Sequence, residues 1–476
     1  MSQANHHAAL SKRDIFWGLA AQGLNIGLMV IMLPVILRHM SRAEVGIWLV
    51  FFAITGLVQL LELGFQYVLA RSYSYVYAGA QELLPSGLQT GTGPLNENLL
   101  AILLTASRRI YLTIAILAAA VLWLGGTTYL YSVLPAGLSA STVLWSWAAF
   151  STGYVVNFYY GYLNALLQGR GDMLQSNKVV VASKGTQLVV SIVLVAFFNA
   201  GLVGLGLASL LSMLVNRFLA FHFAYAPART EMRVPPAAPD AARKMVKVLW
   251  HNARRYGESM IGGFLIARAN VLIAASRIGV VETAGYSLAL QVLIVMQVVS
   301  MLPFNLSLPR LSHLRAVGDV PTTYRVFSST LAAAIMIFGF AGLGLLLFGN
   351  PLLRLIKSST TLPDTALLAT MIVIFFLELN HGICANLIAA GNEVPFGRAG
   401  LITGASSAVT GWIVTPYFGV AGLIAVVGLC ELAYNNWKWP LQAARQFKVS
   451  FIQVLSDGFK ILYEAKIKPA LGHYKQ

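Results

Sequence analysis

The chain has 476 residues, of which 57% are hydrophobic and only 11% are charged. A soluble globular domain carries about 25% charged residues, so this composition, with a mean hydropathy of +0.71, excludes that class and indicates a polytopic membrane protein. The formal net charge of +16 does not indicate a nucleic-acid partner, because the basic residues concentrate in loops on one side of the predicted membrane.

Apolar stretches of about 20 residues, the length needed to cross a bilayer, recur along the whole chain. We count twelve, which predicts an all-α integral membrane protein with twelve transmembrane helices. Their approximate bounds are 15–37, 45–68, 109–133, 143–167, 177–198, 202–224, 257–276, 282–306, 326–348, 365–390, 397–416 and 419–438.

The distribution of Lys and Arg predicts the orientation of these spans. If the N-terminus lies inside, the outer loops carry only Arg38, Arg42, Arg277, Arg354 and Lys357. Because Lys and Arg are enriched in cytoplasmic loops, we expect both termini in the cytoplasm. The first apolar stretch is too long for the core of a signal peptide, so we expect an uncleaved first helix.

Three segments outside the spans have a recognisable pattern. Residues 81–98 contain Gly, Pro and Thr and predict a flexible loop. Residues 227–255 predict a proline-containing linker followed by a basic amphipathic helix on the anionic inner leaflet. The C-terminal tail predicts a similar helix, with one apolar face formed by Phe451, Leu455, Phe459 and Leu462.

The two halves of the chain resemble each other at fixed offsets. Gly46, Phe65 and Arg71 match Gly285, Phe304 and Arg310, and further matches pair Asn164 with Asn386, Gly169 with Gly391, and GLVGL from Gly201 with GVAGL from Gly419. Parallel repeats predict two six-helix lobes related by a pseudo-twofold axis along the membrane normal, with the substrate site between them. Coincidence among Gly-rich apolar sequences is the alternative.

The repeat divides the chain into four predicted segments. Residues 1–225 form an N-lobe with helices 1–6, and residues 226–256 form a cytoplasmic linker with an amphipathic helix. Residues 257–440 form a C-lobe with helices 7–12, and residues 441–476 form a basic amphipathic cytoplasmic tail.

Isolated cations within the predicted spans are the first candidate site residues. Lys184, Arg217 and Arg268 each lie far from a span end. A charge at the bilayer centre costs about 2.5–3.5 kcal/mol, so each is expected to face a wet cavity or a buried partner. One hypothesis is that they bind an anionic substrate. The alternatives are pairing with carboxylates inside one lobe and, for Arg217, reaching the inner interface.

Arg71 and Arg310 lie just past the inner ends of equivalent helices. They could form a symmetric basic entrance for the headgroup of a substrate. Equally, they could simply follow the enrichment of positive charge in cytoplasmic segments.

Acidic residues within the spans are candidates for ion coupling. Glu378 precedes His381 by one turn, Glu431 precedes Asn435 by one turn, and Glu62 lies between two glutamines. A desolvated carboxylate takes up a proton readily, and His titrates near neutral pH, which suits coupling to H⁺ or Na⁺. The alternative is that these acids neutralise the buried cations.

The sequence contains no P-loop, no HExxH, no GxSxG and no metal-spaced set of Cys and His. The two cysteines, Cys384 and Cys430, both lie in predicted spans and predict no disulfide framework. We therefore expect no catalytic residues, no cofactor and no metal site, and a secondary transporter in place of an enzyme.

Four stretches carry a family resemblance: LELGFQYVLARSYSY, NALLQGRGDMLQSNKVVVASKGTQLVVSIVL, ARANVLIAASRIGVVETAGYSLALQ and AAGNEVPFGRAGLITGASSAVTGWIVTPYFGVAGL. With them, residues 11–440 resemble polysaccharide exporters and O-antigen-type lipid-linked oligosaccharide flippases of the multidrug/oligosaccharidyl-lipid/polysaccharide (MOP) superfamily. One departure is Asn270, which stands near a position where many members have Asp.

The resemblance implies a V-shaped molecule whose central cavity opens alternately to each side of a bacterial inner membrane. It implies flipping of undecaprenyl-diphosphate-linked oligosaccharide for O-antigen or exopolysaccharide, with membrane lipids, a polysaccharide polymerase and a chain-length regulator as partners. Two alternatives stay open. A multidrug exporter of the same superfamily is expected to present acids to its substrate, and a membrane polymerase is expected to have a large outer loop.

Overall fold

The computed structural model describes residues 12–83, 93–226, 230–316, 318–389 and 396–464. The structure is 86% helical and has no strand within these ranges, which confirms the all-α prediction. Residues 84–92 of the predicted flexible loop, the first residues of the predicted linker and residues 465–476 of the predicted tail lie outside the described residues.

The α-helices are numbered α1 to α19 in chain order. They are Lys12–His39, Arg42–Gln59, Phe65–Tyr77, Glu97–Ala120, Thr127–Ser132, Ala140–Tyr159, Tyr162–Gly169, Met173–Ile192, Gly201–Ala224, Thr230–Arg233, Pro239–Ala267, Ala269–Arg277, Val280–Ser300, Leu302–Ala316, Val320–Leu355, Thr365–Ala389, Phe396–Ala433, Asn435–Gln446 and Phe451–Leu462. A 3₁₀ turn at Leu60–Glu62 and π-helical segments at Val121–Gly126 and Val193–Phe197 complete the helical structure of the described chain.

Eight helical runs of the described chain are long and apolar enough to cross a membrane, so the chain is a multi-pass membrane protein. They are Arg42–Glu62, Glu97–Ser132, Met173–Phe197, Gly201–Ala224, Val280–Ser300, Val320–Leu355, Thr365–Ala389 and Gly397–Gln446. The last run holds two of the predicted spans. Gly419 interrupts it with a φ of 58° and a ψ of −148°. A count of twelve spans stays a prediction.

The chain divides into two compact units, Met1–Met260 and Ile261–Gln476, and the division falls within α11. Unit 1 is built around α9, which packs against α6 and α8. Its core contains the rings of Phe51, Trp147 and Phe150, whose centroids lie 4.9–6.1 Å apart. Ring pairs of this kind add about 0.5–1.5 kcal/mol beyond the burial of their area.

Unit 2 is built around α15 and α16. Helix α15 packs against α14 and α19, α16 packs against α18, and α12 packs against α17. Phe327 and Phe338 of α15 are fully buried and form part of its core.

Several helices are interrupted within the predicted spans. In unit 1, α2 and α3 are separated by residues 60–64, where Leu63 and Gly64 have φ values of 47° and 77°, and α6 and α7 are separated at Tyr160 and Gly161. In unit 2, α12 begins after Arg268. An interruption frees backbone polar groups that lipid cannot satisfy, so it needs polar side chains nearby.

The local geometry of the two halves agrees at one repeated motif. Gly201 and Gly419, the first residues of GLVGL and GVAGL, have φ values of 48° and 58°. Side chains rarely adopt this left-handed backbone, so both positions require glycine before the helix that follows.

The tail helix α19 packs against α15. It buries Val454, Gly458 and Leu462. A side chain at Gly458 would collide with the carbonyl oxygen of Ser328 in α15, so glycine permits this close approach. Tyr324 of α15 donates a hydrogen bond of 2.6 Å to Asp457. Of the predicted apolar face, Phe459 is exposed and Phe451 and Leu455 are half-buried, so its contact with the leaflet stays a prediction.

Candidate functional site

Arg217 of α9 is buried, with 6% of its surface exposed, and is surrounded by oxygen acceptors. Its Nε and Nη2 both donate to Oδ1 of Asn157, at 2.9 and 2.5 Å. Its Nη1 donates to the carbonyl oxygen of Tyr160 at 3.1 Å and to Oδ1 of Asn164 at 3.3 Å. The guanidinium therefore has neutral partners on three sides and no carboxylate in direct contact within the described residues.

These partners explain why α6 and α7 are interrupted beside Arg217. Tyr160 is the residue after α6, and its carbonyl accepts from the backbone N–H of Leu163 at 3.1 Å as well as from Arg217. A cation is also favoured at a helix C-terminus by the helix dipole. Gly161 follows, and a side chain there would collide with the ring of Tyr111. The buried arginine thus adds a second hydrogen bond to the carbonyl at the break.

Glu62 supplies the negative charge nearest to this arrangement. Tyr111 donates a hydrogen bond of 2.6 Å to Glu62, which ends the 3₁₀ turn between α2 and α3. Glu62 and Arg217 interact electrostatically without forming a close ion pair. The sequence proposed Glu62 for coupling and Arg217 for substrate binding, and the structure brings the two residues into one cluster of unit 1.

Lys184 has a different environment. It lies in α8, roughly 16 Å along the helix axis from Met173 at 1.5 Å per residue, and is half-buried. Within the described residues its ammonium group makes no hydrogen bond and no ion pair. The adjacent Gly185 has no atom within 4 Å of the position that a Cβ would occupy. Lys184 is therefore a cation within a candidate span whose ammonium group has no polar partner among the described residues.

The contact between α8 and α9 next to Lys184 is polar. Ser212 donates to the carbonyl oxygen of Ser183 at 2.9 Å, and Asn216 donates to Oγ of Ser183 at 3.0 Å. The side-chain oxygen of Asn216 is buried and has no hydrogen-bond partner in the described part of the chain. The contact between α8 and α9 therefore contains polar side chains at the residue that precedes Lys184.

Unit 2 contains two carboxylates at membrane depth, Glu378 in α16 and Glu431 in α17, which interact electrostatically. Glu431 is 2% exposed, and Nδ2 of Asn435 donates to its Oε2 at 3.2 Å. Nδ1 of His381 lies 3.9 Å from the same Oε2 and 2.8 Å from Oδ1 of Asn436. The structure thus brings together three residues that the sequence proposed for coupling.

The second oxygen of Glu431 is not satisfied. Its Oε1 is buried without a hydrogen-bond partner among the described residues, and so is Oδ1 of Asn270. Because a buried carboxylate oxygen is costly to leave unpaired, this position favours a proton, a water molecule or a cation.

Glu378 and Asn270 line a shared cavity in unit 2. Its volume, measured for the centre of a water-sized sphere, is about 30 Å³, and the remaining walls are largely apolar. A polar cavity above 10–15 Å³ on this measure can hold a water molecule. Asn270 donates through Nδ2 to the carbonyl oxygen of Ile266 at 2.9 Å, which leaves its oxygen as an acceptor. The neutral residue at position 270 therefore has a carboxylate close by on α16.

The other cations that the sequence proposed for substrate binding differ in how exposed they are. Arg268 is half-buried at the interruption between α11 and α12, where it interacts with neighbouring groups. Arg71 on α3 and Arg310 on α14 are exposed, as a basic entrance requires.

A cluster at the end of unit 1 had no counterpart in the sequence analysis. Arg170 pairs with Asp172 and with the buried Glu231, each at 2.6 Å, and Tyr77 donates a further hydrogen bond to Glu231. The pKa of Arg170 is raised: burial alone would lower it, but the hydrogen bond and charge of Glu231 outweigh burial. Burial, followed by the hydrogen bond to Glu231, raises the pKa of Tyr77. In the sequence, the sign of this cluster was that Glu231 is an acid among basic linker residues.

No known protein-family model matches the chain, and no curated protein sequence matches it. Solved structures do match in fold. An inward-facing multidrug resistance MATE family transporter of the MOP superfamily aligns with a TM-score of 0.67 and 14% identity, covering 93% of this chain and 96% of that chain.

Two further solved structures give similar values. The lipid II flippase MurJ, in an inward closed conformation, aligns with a TM-score of 0.59 and 12% identity, over 94% of this chain and 91% of that chain. The MATE multidrug transporter DinF-BH aligns with a TM-score of 0.58 and 12% identity, over 98% of both chains. At these identities the likeness establishes that the chain has the fold of MOP-superfamily transporters.

Proposed function

We propose that this chain is a secondary transporter that flips an anionic lipid-linked oligosaccharide, undecaprenyl-diphosphate-linked, by alternating access coupled to H⁺ or Na⁺. The observation that carries the proposal is the set of cations within the predicted spans. Lys184 and Arg217 lie in unit 1 with the acid Glu62, and Arg268 lies in unit 2 with the acids Glu378 and Glu431. Cations suit a phosphate-bearing substrate and carboxylates suit a coupling cation, so we assign substrate binding to the cations and coupling to the acids of unit 2.

Lys184 is the residue that we propose for direct contact with the substrate. An ammonium group within a span that has no polar partner among the described residues is costly, and an anionic ligand offsets that cost. Lys and Arg both bind phosphate well. Arg268 is proposed as a second contact, and the exposed Arg71 and Arg310 are proposed to receive the headgroup at the membrane surface.

Arg217 is proposed to act by positioning. All three of its donor nitrogens already bond Asn157, Tyr160 or Asn164, and the side chain is buried. Its contribution to substrate binding is then to hold the interrupted helix α6–α7 and to add positive potential. Glu62, through Tyr111, offsets part of that charge, which supports the alternative of neutralisation for this one acid.

Coupling is proposed to use Glu378 and Glu431 with His381. One carboxylate lines a cavity large enough for water, and the other has an oxygen with no partner in the described residues. Each can accept a proton or a cation and release it when the surroundings change. Because the two acids interact electrostatically, an ion bound by one of them alters the environment of the other.

A cation-coupled multidrug exporter is the second candidate. The two carboxylates of unit 2 favour it, because acids attract cationic drugs, and the MATE structures similar in fold are described as multidrug transporters. The membrane-depth Lys184 argues against it, since a cation repels such substrates. A membrane polysaccharide polymerase is less favoured, because the fold is that of transporters.

The experiment uses purified full-length protein in proteoliposomes with an imposed ion gradient. One set contains a polyprenyl-diphosphate-linked oligosaccharide whose exposure is read by an added sugar-modifying enzyme, and a parallel set contains a cationic dye. Gradient-dependent flipping of the lipid-linked sugar without dye transport supports the flippase. Dye transport without flipping supports the multidrug exporter instead. In that case Lys184→Ala is expected to leave the rate of dye transport unchanged.

The remaining expectations depend on this substrate. We propose location in a bacterial inner membrane with both termini in the cytoplasm, and a polysaccharide polymerase and a chain-length regulator as partners. Thiol labelling of a cysteine introduced at Ser11, with membrane-impermeant reagent applied from either side, tests the orientation. Labelling of the N-terminus from outside intact cells contradicts it.

A further inference from the structure

The linker helix α11 has an apolar stripe that is used inside the protein. Ala242, Met245, Leu249 and Ala253 recur at helical spacing and are all buried. The sequence predicted a basic amphipathic helix on the anionic inner leaflet. Because the apolar stripe is buried, it is unavailable for insertion into lipid, and only the polar side of α11 is left for contact with a leaflet.

The same helix is fastened to unit 1 by specific contacts. Nη1 of Arg109 in α4 donates to the carbonyl oxygen of Pro239 at 3.0 Å, and the backbone N–H of Ala237 donates to Thr105 at 3.1 Å. Further along, the ring of Trp250 lies 5.9 Å from that of Phe65 in α3. The linker therefore presents a fixed surface.

The side of α11 opposite the buried stripe is basic. Arg243, Lys244 and Lys247 are exposed, and Trp250 is 48% exposed. At 100° per residue, positions 243, 247 and 250 share one face, which Arg109 extends at the start of the helix. We name Arg109, Arg243, Lys244, Lys247 and Trp250 the linker patch. The described acid on the same face of α11 is Asp240 in its first turn.

The linker patch lies beside the end of a membrane helix. The run Glu97–Ser132, which contains Arg109, has 36 residues. At 1.5 Å per residue it is roughly 54 Å long, whereas the hydrocarbon core of a bilayer is about 30 Å thick. The run must therefore extend beyond the hydrocarbon, and α11 contacts its N-terminal half, where headgroups are within reach.

We propose that the linker patch binds the anionic phospholipid headgroups of the adjacent leaflet. Four cations against one carboxylate complement a negatively charged lipid surface, and Trp is enriched at membrane–water interfaces. Because the apolar stripe is already buried, the attraction is electrostatic. This inference is independent of the transported substrate.

The test uses Trp250 as the reporter in proteoliposomes that mix phosphatidylglycerol and phosphatidylcholine, with either lipid brominated in turn. The Trp250→Phe protein provides the background from the other tryptophans. We expect brominated phosphatidylglycerol to quench Trp250 more than brominated phosphatidylcholine at equal mole fraction. Replacement of Arg243, Lys244 and Lys247 by Gln should abolish the preference for phosphatidylglycerol. Each cation is expected to contribute at most about a fivefold increase in affinity for the anionic lipid.

The matched control replaces the exposed Arg38, Arg354 and Lys357 by Gln, which removes the same charge elsewhere and should leave the preference intact. A second arm raises the KCl concentration with the wild-type protein, where screening should weaken the preference. Equal quenching by both lipids in the wild type, as an acidic protein partner predicts, overturns the proposal. So does a preference that is insensitive to salt and to the Gln variants.

Discussion

Arg217 donates two hydrogen bonds to a single oxygen of Asn157, although the two residues lie 60 positions apart and on different membrane helices. The same guanidinium reaches the carbonyl of Tyr160 and Oδ1 of Asn164 in α7, so one side chain joins α9 to both sides of the break between α6 and α7. The position of the fourth predicted span thus depends on a cation that sequence reasoning assigned to the substrate.

We expect Arg217→Lys to destabilise the protein. An ammonium group lacks the planar fork and cannot satisfy the oxygens of Asn157, Tyr160 and Asn164 together. Each buried acceptor left unpaired costs about 1–3 kcal/mol. Thermal unfolding of the detergent-solubilised protein should show a lower Tm, whereas the same substitution at the exposed Arg71 should leave the Tm unchanged. Equal Tm values for both variants would remove the structural role of Arg217.

Composition and periodicity predicted the helical class correctly, because long apolar runs in lipid permit little else. They also selected charged residues within the spans, since a charge in such a run is conspicuous. Glu378 and His381 were chosen as one turn of a helix and Glu431 as a separate position, and the structure brings all three into one neighbourhood.

The partners of these residues could not be predicted in the same way. Asn157 and Asn164 flank Gly161 at a helix break that apolar periodicity passes over, because each half of the break is still apolar. Glu231 was treated as part of a solvated linker, and only the fold reveals that Arg170 and Tyr77 enclose it. Long-range pairing of polar groups is a property of the packing, which a single sequence does not display.

Lys184 should be dispensable for stability and required for transport. It has no hydrogen bond or ion pair in the described part of the chain, so Lys184→Ala removes no polar contact there and only part of the packing of a half-buried stem. We expect flipping of a diphosphate-linked oligosaccharide to fall by at least about tenfold, which corresponds to about 1.4 kcal/mol of lost binding in the transport cycle. Lys184→Arg keeps the charge and should retain most of the rate. Normal flipping by the Ala variant at equal protein abundance would exclude Lys184 from the site.

Tyr77 should make part of the stability depend on alkaline pH. Burial and its hydrogen bond to Glu231 raise the pKa of Tyr77 above the unfolded value of about 10. A raised pKa means that the folded state holds the proton more tightly, so the contribution is complete below about pH 10 and is lost as the pH rises further.

The measurement for Tyr77 compares Tm values between pH 8 and 11. The variant Tyr77→Phe should lose less stability over this range than the wild type, because it has no phenol to ionise at that position. Tyr67→Phe is the matched control, since Tyr67 is 70% exposed. If both variants follow the wild-type alkaline curve, the ionisation of Tyr77 makes no contribution to the pH dependence.

Substitution of the carboxylates of unit 2 should separate coupling from substrate movement. Glu378→Gln and Glu431→Gln fix a neutral, hydrogen-bonding side chain, which imitates the protonated acid and cannot release a proton. We expect gradient-driven flipping to lose its dependence on an imposed pH or Na⁺ gradient in either variant, while exchange at equilibrium persists, because exchange needs no net ion movement. Glu97→Gln removes an exposed carboxylate of unit 1 and should leave the gradient dependence unchanged.

The two carboxylates are expected to differ in one respect. Glu431 has an unpaired oxygen among the described residues and is 2% exposed, so a neutral amide there relieves a buried charge, and Glu431→Gln should raise the Tm. Glu378 and Asn270 border a cavity that is large enough for a water molecule, so Glu378→Gln should change the Tm less than Glu431→Gln does. The transport arm compares rates with H⁺ and Na⁺ gradients at constant membrane potential. A gradient dependence that survives in both single variants and in the double variant would exclude this pair from coupling.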